Sequence, residues 1–105
     1  MGFIDREGNP ANTDYEKEEQ FLVRTYLPKD ACVLELGARY GTVSCVISEV
    51  LEDPTKHVAV EPDPSVIEAL LCNRGENGGS FIYSLVLYLN MSYTNMAHIQ
   101  NHLKI

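Results

Sequence analysis

Two short stretches of the sequence combine glycines and acidic residues at spacings that suit a small ligand. The first is VLELGARYGT (residues 33–42), which contains Glu35, Gly37 and Gly41. The second is HVAVEPDP (residues 57–64), in which Glu61 and Pro62 end an apolar run. Glycine tolerates a positive φ and lets a ligand approach the backbone, and a carboxylate accepts hydrogen bonds from neighbouring hydroxyls. These residue types predict a site for a ligand that carries vicinal hydroxyls, and the alternative is a ligand-free strand-to-helix turn.

The spacing of these residues narrows the choice of ligand. Glu61 lies 24 residues after Gly37, close to the ~20 expected between a glycine loop and a ribose-binding acid. The dinucleotide fingerprint G-x-G-x-x-G requires glycine where this chain has Arg39, which argues against NAD. Arg39 is either solvent-exposed or a clamp for a carboxylate of the cofactor or substrate. An acidic crevice with Glu35 and Glu61 suits the positively charged sulfonium of S-adenosylmethionine.

The apolar pattern places both stretches at the ends of predicted strands. Residues 31–36, 57–60 and 81–89 are short apolar runs that predict strands, the first of them buried on both faces. Apolar residues at helical spacing follow Thr42 and the Asp63-Pro64 pair. Strands that alternate with helices predict a parallel, right-handed α/β sheet. Ligands bind outside the carboxyl ends of such strands, so loop 37–41 and Glu61 are expected to share one crevice.

The residues before the first predicted strand divide into two segments. Residues 1–12 contain turn-forming glycine, asparagine and proline and predict a flexible lead-in. A T-x-x-E capping box at Thr13 predicts a helix over residues 14–27. The apolar side of that helix is expected to carry Phe21, Leu22 and Tyr26. The sequence therefore predicts one domain, with a lead-in (1–12), an S-adenosylmethionine-binding region (13–89) and an irregular or helical tail (90–105).

Composition excludes several classes of function. The net charge of the 105 residues is -7 and basic residues do not cluster, so a nucleic-acid partner is not expected. The longest apolar stretch, residues 81–90, is half the ~20 residues of a membrane helix, so no membrane contact is expected. The three cysteines form no C-x-x-C pair, which predicts a reducing, cytoplasmic location without disulfides. His98 and His102 lack a third ligand, and no metal site is predicted.

Both stretches resemble a known family. VLELGARYGTVSCVISEV resembles motif I of the class I S-adenosylmethionine-dependent methyltransferases, with Glu35, Gly37 and Gly41 in the E-x-G-x-x-x-G positions. HVAVEPDPSVIEALLCNR is similar to the strand-two segment of the FkbM-like branch of that family, where a Glu-Pro-Asx-Pro turn leads into a helix and an asparagine. The resemblance covers roughly residues 15–77 and implies a Rossmann-like sheet with flanking helices.

The resemblance also implies a cofactor and a reaction. It assigns the ribose hydroxyls of S-adenosylmethionine to Glu61, the methionine end to Gly37, Ala38 and Gly41, and the amino group to Glu35. The predicted cofactor-binding residues are completed by Arg39 and Pro62. The expected activity is methyl transfer to a hydroxyl of a small molecule or sugar, with no catalytic residue identified.

Two features of the family are not visible in this sequence. They are the acidic motif after the third strand and the later strands, so the chain is expected to hold only the N-terminal part of the fold, as a truncated relative. An alternative is a catalytically inactive remnant that binds a nucleoside or a protein partner, and a third interpretation is an NAD-type fragment. Three parallel strands leave at least one edge of the sheet with unpaired N–H and C=O groups. The apolar strand at residues 81–89, or its neighbour, is expected to form this edge, which favours a homo-oligomer.

Overall fold

The computed structural model of the chain describes residues 2–12 and 14–85. Its centre is an open sheet of three parallel strands whose spatial order follows the sequence. The strands are β1 (Val33–Leu36), β2 (His57–Val60) and β3 (Ile82–Ser84). The helices are α1 (Lys17–Tyr26), α2 (Thr42–Val50) and α3 (Ile67–Glu76). The prediction of a parallel α/β sheet with flanking helices is confirmed, whereas residues 86–89 of the predicted third strand and the tail 90–105 lie outside the described residues.

The turn that precedes α3 follows the predicted capping pattern, with one difference. The Asp63 carboxylate accepts a hydrogen bond from the backbone N–H of Ser65 at 2.9 Å, and Pro64 occupies the first position of the turn. The first turn (Pro64–Val66) is a 3-10 turn, and α3 itself begins at Ile67. The side chain of Asp63 therefore ends the preceding extended segment and starts the helical one, because it supplies an acceptor for a backbone N–H that has no partner within the helix.

The apolar core lies between one face of the sheet and the helices. Two clusters of buried side chains make it up, and both combine strand residues with residues of α2. The first contains Ala38, Cys45, Ala59, Leu70 and Phe81, and the second contains Ala31, Val33, Ile47 and Leu51. Because side chains alternate along a strand, Val33, Glu35, His57 and Ala59 share the face that the helices cover.

The opposite face of the sheet is named the open face, and it has six side chains. They are Leu34, Leu36, Val58, Val60, Ile82 and Ser84, which are neighbours in register across the three strands. Leu36 and Ile82 are 62% and 52% exposed, although Val60 at the centre is buried. The prediction that the first strand is buried on both faces is therefore wrong for Leu36.

The orientation of α1 also differs from the prediction. Phe21, Leu22 and Tyr26 are 64%, 52% and 73% exposed, so they do not form its buried side. Val23 and Leu27 pack instead against the second core cluster. The sequence of α1 carries apolar residues on more than one side, and packing against α2 selects the side with Val23 and Leu27. The capping box at Thr13 lies outside the described residues.

The segment predicted as a flexible lead-in forms a bridged turn that is fastened to α3. The backbones of Ile4 and Pro10 form an antiparallel bridge, and the side chain of Asp5 accepts hydrogen bonds inside the turn. The buried Asn73 amide donates to the carbonyls of Ile4 and Tyr40, each at 2.9 Å, and accepts from the N–H of Ile4 at 2.9 Å. One side chain thus joins the N-terminal turn, the loop after β1 and α3.

We predict that Asn73→Ala lowers the free energy of unfolding by about 2–3 kcal/mol, because it leaves partly buried backbone groups of Ile4 and Tyr40 without the partners that Asn73 supplies. Urea denaturation measures the change. The exposed Asn9 is the matched control, and Asn9→Ala is expected to cost less than about 0.5 kcal/mol. Equal effects of the two substitutions would contradict the role given to Asn73.

A second prediction concerns pH. Burial, followed by the carboxylates of Glu35 and Glu49, raises the pKa of the Cys45 thiol from 9.0 to about 11. Between these values the unfolded chain loses its proton first, so the stability that the protonated thiol contributes is complete below pH 9 and is lost by pH 11. The difference in unfolding free energy between the wild type and Cys45→Ala should therefore shrink over this range in denaturation measurements. A constant difference would show that the thiol is not desolvated.

Candidate functional site

The loop between β1 and α2 has the conformation that its two glycines permit. Gly37 and Gly41 have φ values of 80° and 85°, and Arg39 between them has a φ of 50°. The N–H groups of Gly37 and Ala38 donate to the carbonyl of Val60 at 2.8 and 3.1 Å, which continues the pairing of β1 with β2 into the loop. The left-handed backbone at Gly37 and Gly41 is the reason that glycine is required there.

The two glycines differ in their surroundings. A Cβ on Gly41 would lie 2.8 Å from Leu70 Cδ1, because α2 begins against α3 at this residue. A Cβ on Gly37 would meet nothing within 4 Å, and Gly37 is exposed. The structure therefore gives Gly41 a packing role between helices and leaves open space at Gly37, where a ligand can approach the backbone.

The carboxylate of Glu61 joins the loop after β1 to the turn after β2. Its Oε1 accepts the N–H of Arg39 at 2.7 Å and its Oε2 accepts the N–H of Asp63 at 3.0 Å. Glu61 is buried, and its own N–H donates to the carbonyl of Ser84 at 2.9 Å. Each carboxylate oxygen accepts about two hydrogen bonds, so one acceptor position on each oxygen remains for a pair of hydroxyls.

Residues from separate turns line one cleft of about 270 Å³ at the carboxyl ends of the strands. Its lining residues are Arg6, Gly37, Arg39, Glu61, Asp63 and Val66. Three predicted site residues, Gly37, Arg39 and Glu61, thus come together. The other four lie elsewhere: Ala38 is part of the apolar core, Gly41 packs on α3, Pro62 is exposed beside the cleft, and Glu35 points to α2.

Glu35 is bound by protein groups on the helix-covered face. Its Oε1 accepts the Ser44 hydroxyl at 2.6 Å and lies 3.0 Å from Nε2 of the fully buried His57. A carboxylate oxygen only accepts, so Nε2 of His57 carries the proton of this contact. The arrangement connects β1 to α2 and β2, and it differs from a hydrolase triad because the serine bonds to the acid rather than to the histidine.

Glu16 is a charged residue near the loop after β1 that the sequence motifs did not indicate. Burial, and then the carboxylates of Glu19 and Glu35, raises the pKa of Glu16, whereas Arg39 lowers it. Glu16 therefore belongs to an acidic region beside the loop after β1. The sequence does not indicate this position. Glu16 is one of several acidic residues at the start of the predicted helix, and only the packing of the folded chain determines which of them lies near the loop.

Arg6 is a cleft residue that sequence reasoning missed. Its Nη1 donates to the Ser65 hydroxyl at 3.0 Å and lies 4.0 Å from the Asp63 carboxylate, and its Nε is 3.4 Å from the Tyr40 hydroxyl. Hydrogen bonds from Ser65, with smaller effects of Arg6 and Arg39, hold the pKa of Asp63 below its usual value. The turn-forming residues around Arg6 predicted only a flexible lead-in, and no motif there indicated the cleft that Arg6 lines.

Chemically, the cleft combines acceptors for hydroxyl groups with donors for an anion. Glu61 supplies the acceptors, and the guanidinium groups of Arg6 and Arg39 supply positive charge at the mouth. Across residues 2–12 and 14–85, no three histidine, cysteine or acidic side chains come together as metal ligands. His98 and His102 lie outside these ranges. No helix in the same ranges combines the length and apolar character needed to cross a membrane.

We predict that Gly37→Ala lowers the free energy of unfolding by about 1–2 kcal/mol through its positive φ alone. Gly41→Ala should cost at least about 1 kcal/mol more, because its Cβ also overlaps Leu70. Gly75 in α3 is the matched control. It has open space and no positive φ, so Gly75→Ala is expected to stabilise by about 0.5–1 kcal/mol. Chemical denaturation ranks the three variants, and a cost for Gly37→Ala above that for Gly41→Ala would refute the roles assigned here.

Comparisons with models of known protein families, with curated proteins and with solved structures return no match for this chain. The resemblance to methyltransferases is therefore one of sequence motifs alone, those around Gly37 and Glu61.

Proposed function

We propose that the chain is an S-adenosylmethionine-binding domain of the FkbM-like methyltransferase type, which transfers a methyl group to a hydroxyl of a small molecule or sugar. One observation carries the proposal. Gly37 and Glu61, which come from different turns, line the same cleft at the carboxyl ends of parallel strands. In open α/β sheets this is the position at which nucleotide ligands bind.

Different residues of the cleft would bind different parts of the cofactor. Glu61 would accept the ribose hydroxyls through its remaining acceptor positions, and the exposed backbone of Gly37 would approach the methionine end. Burial raises the pKa of Glu16 and Arg39 opposes this shift, so the Glu16 carboxylate adds negative charge near the loop after β1 and would favour a positively charged sulfonium. Oε1 of Glu35 already binds Ser44 and His57, so any contact with the amino group falls to its other oxygen.

S-adenosylmethionine supplies a methyl group that its positive sulfur already activates. The contribution of the protein is then to hold the cofactor, to align it with the hydroxyl acceptor and to exclude water. The methyl acceptor would approach the open side of the cleft at Gly37, where even an added Cβ would meet no described atom within 4 Å. Arg39 lines the cleft, and its guanidinium would bind a carboxylate of the cofactor or the acceptor.

The fold that accompanies this proposal is the N-terminal part of a Rossmann-like sheet. The observed neighbours β1, β2 and β3 correspond to the first half of the doubly wound strand order 3-2-1-4-5-6. In that order the fourth strand lies beside the first, and an apolar groove lined by Leu27, Leu34 and Leu36 runs along this edge of β1. The free thiols of Cys32, Cys45 and Cys72 support a cytoplasmic location.

A second candidate is a nucleoside-binding or protein-interaction module without catalysis. The observation that favours it is that the carboxylates of Glu35 and Glu61 are already bound by protein donors, so both have a structural role. This module would use the same cleft but would not transfer a methyl group. An NAD-type function is less favoured, because Arg39 replaces the second glycine of the dinucleotide fingerprint.

We predict that S-adenosylhomocysteine binds the full chain and that Glu61→Gln weakens its binding by about tenfold to a hundredfold. An amide has one acceptor oxygen where two hydroxyls need two, and a hydrogen bond to a charged group contributes about 1.5–3 kcal/mol. Isothermal titration calorimetry measures the loss. Glu68→Gln, at an exposed acid on α3, is the matched control and should bind as the wild type does.

Titrations with S-adenosylhomocysteine and with NAD, together with an assay of methyl transfer, distinguish the methyltransferase, the non-catalytic module and the NAD-type function. Each variant is first checked by denaturation, because Glu61 also holds two backbone N–H groups. Binding of NAD without binding of S-adenosylhomocysteine would overturn the proposal, as would equal binding by Glu61→Gln and the wild type. Binding without methyl transfer to any hydroxyl acceptor would favour the non-catalytic module.

A further inference from the structure

Two guanidinium groups from distant parts of the chain meet beside the cleft. Arg6 belongs to the N-terminal turn and Arg39 to the loop after β1, and both line the cleft that contains Glu61. The Tyr40 side chain contacts both of them: Arg6 Nε lies 3.4 Å from its hydroxyl, and Arg39 Cζ lies 5.0 Å from the centre of its ring. The chain has eight basic residues and a net charge of -7, so this pair is not part of a generally basic surface.

The electrostatics of the neighbouring acids agree with this arrangement. The hydrogen bond from Arg6, and with a smaller effect one from Arg39, holds the pKa of the Tyr40 hydroxyl below its usual value. Hydrogen bonds from Ser65, and then the charges of the two arginines, lower the pKa of Asp63 in the same way. A lowered pKa means that the negative form of an acid is stabilised. The space around the two guanidinium groups therefore favours an anion.

Arg6 is held in position and still has N–H groups for a ligand. Its Nη1 donates to the Ser65 hydroxyl at 3.0 Å, and its Nε donates to Tyr40. A guanidinium has five N–H groups, so these two hydrogen bonds leave three. The nearest Asp63 oxygen lies 4.0 Å from Nη1, beyond hydrogen-bond distance. The contacts of Arg6 thus fix its orientation without using all of its donors.

The directions of the two arginines indicate which anion suits them. Arg39 approaches the face of the Tyr40 ring, whereas Arg6 approaches the hydroxyl at its edge. A carboxylate presents two oxygens in one plane, which suits a single arginine. A phosphate group presents three acceptor oxygens in a tetrahedral arrangement, which suits donors from two directions. We propose that Arg6 and Arg39 form a phosphate-binding subsite of the cleft.

The subsite also specifies the class of methyl acceptor, and this part of the inference rests on the proposed function. S-adenosylmethionine carries no phosphate group, so the phosphate belongs to the second ligand of the cleft. Arg6 lies beside Asp63 and Ser65 in the turn after β2, whereas the methionine end of the cofactor is assigned to Gly37 after β1. The acceptor is therefore a phosphorylated sugar or another phosphorylated compound with a hydroxyl group.

Inorganic phosphate is the probe for the subsite, and the full chain is titrated with it in an NMR experiment at a constant ionic strength of about 0.15 M. The backbone N–H signals of Arg39 and Ser65 should shift saturably, with a Kd below about 10 mM. Arg6→Gln should weaken this binding at least about tenfold, because charge-assisted hydrogen bonds are lost. If Arg6→Gln does not fold, Arg39→Gln replaces it.

Arg24→Gln is the matched control. Arg24 is also an arginine beside one carboxylate, since its Nη2 lies 3.7 Å from Glu49, but it does not line the cleft. The control removes the same charge from the chain and should bind phosphate within about twofold of the wild type. Equal losses in Arg6→Gln and Arg24→Gln would overturn the subsite, as would the absence of a saturable shift up to ~50 mM phosphate.

Two further titrations test the kind of anion and its role. Acetate should bind at least about fivefold more weakly than phosphate, and equal binding would contradict the choice of phosphate. The Kd of S-adenosylhomocysteine should change less than about twofold in saturating phosphate, because the two ligands occupy different parts of the cleft. Competition between them would overturn the assignment of the phosphate to the acceptor. Binding of phosphate without binding of S-adenosylhomocysteine would support the subsite and contradict the proposed function.

Discussion

The cleft depends on one buried carboxylate, that of Glu61. A carboxylate is expensive to bury unless it is hydrogen-bonded, and the N–H groups of Arg39 and Asp63 compensate for this cost. Arg39 belongs to the loop after β1 and Asp63 to the turn after β2, so the side chain holds the two turns at a constant distance. Gly37 and Arg6 line the cleft together with Glu61. A ligand that uses Glu61 therefore binds to the same group that shapes its site.

Hydrogen bonds of two other polar side chains, the buried Asn73 and the half-buried Glu35, also connect segments that are distant in the sequence. Asn73 joins α3 to the N-terminal turn and to the loop after β1. Glu35, with Ser44 and His57, joins β1 to α2 and β2. The core around them includes small side chains, such as those of Ala38 and Ala59, and such side chains bury little apolar area. Directional hydrogen bonds therefore position much of this domain, because apolar contacts alone have no preferred geometry.

The predictions from sequence succeeded where the local pattern allowed one solution. The strand at residues 57–60 has the predicted bounds, because β-branched residues between a lysine and a Glu-Pro pair suit an extended segment only. The prediction for α1 failed because that helix has apolar residues on several sides, and only contact with α2 selects Val23 and Leu27. Arg6 was missed for a related reason, since the turn around it has no motif and its place at the cleft results from the distant Asn73.

The sequence by itself determined the alternation of strands and helices, the glycine positions and the acid after the second strand. These depend on short-range physics: the side-chain period of each element and the φ angles that Gly37 and Gly41 must adopt. The tertiary structure alone decided that Gly41 serves packing while Gly37 faces open space, and that Glu35 is bound by Ser44 and His57. It also decided which face of the sheet the described helices cover. Such outcomes require knowledge of which distant segments meet, and no local pattern contains that information.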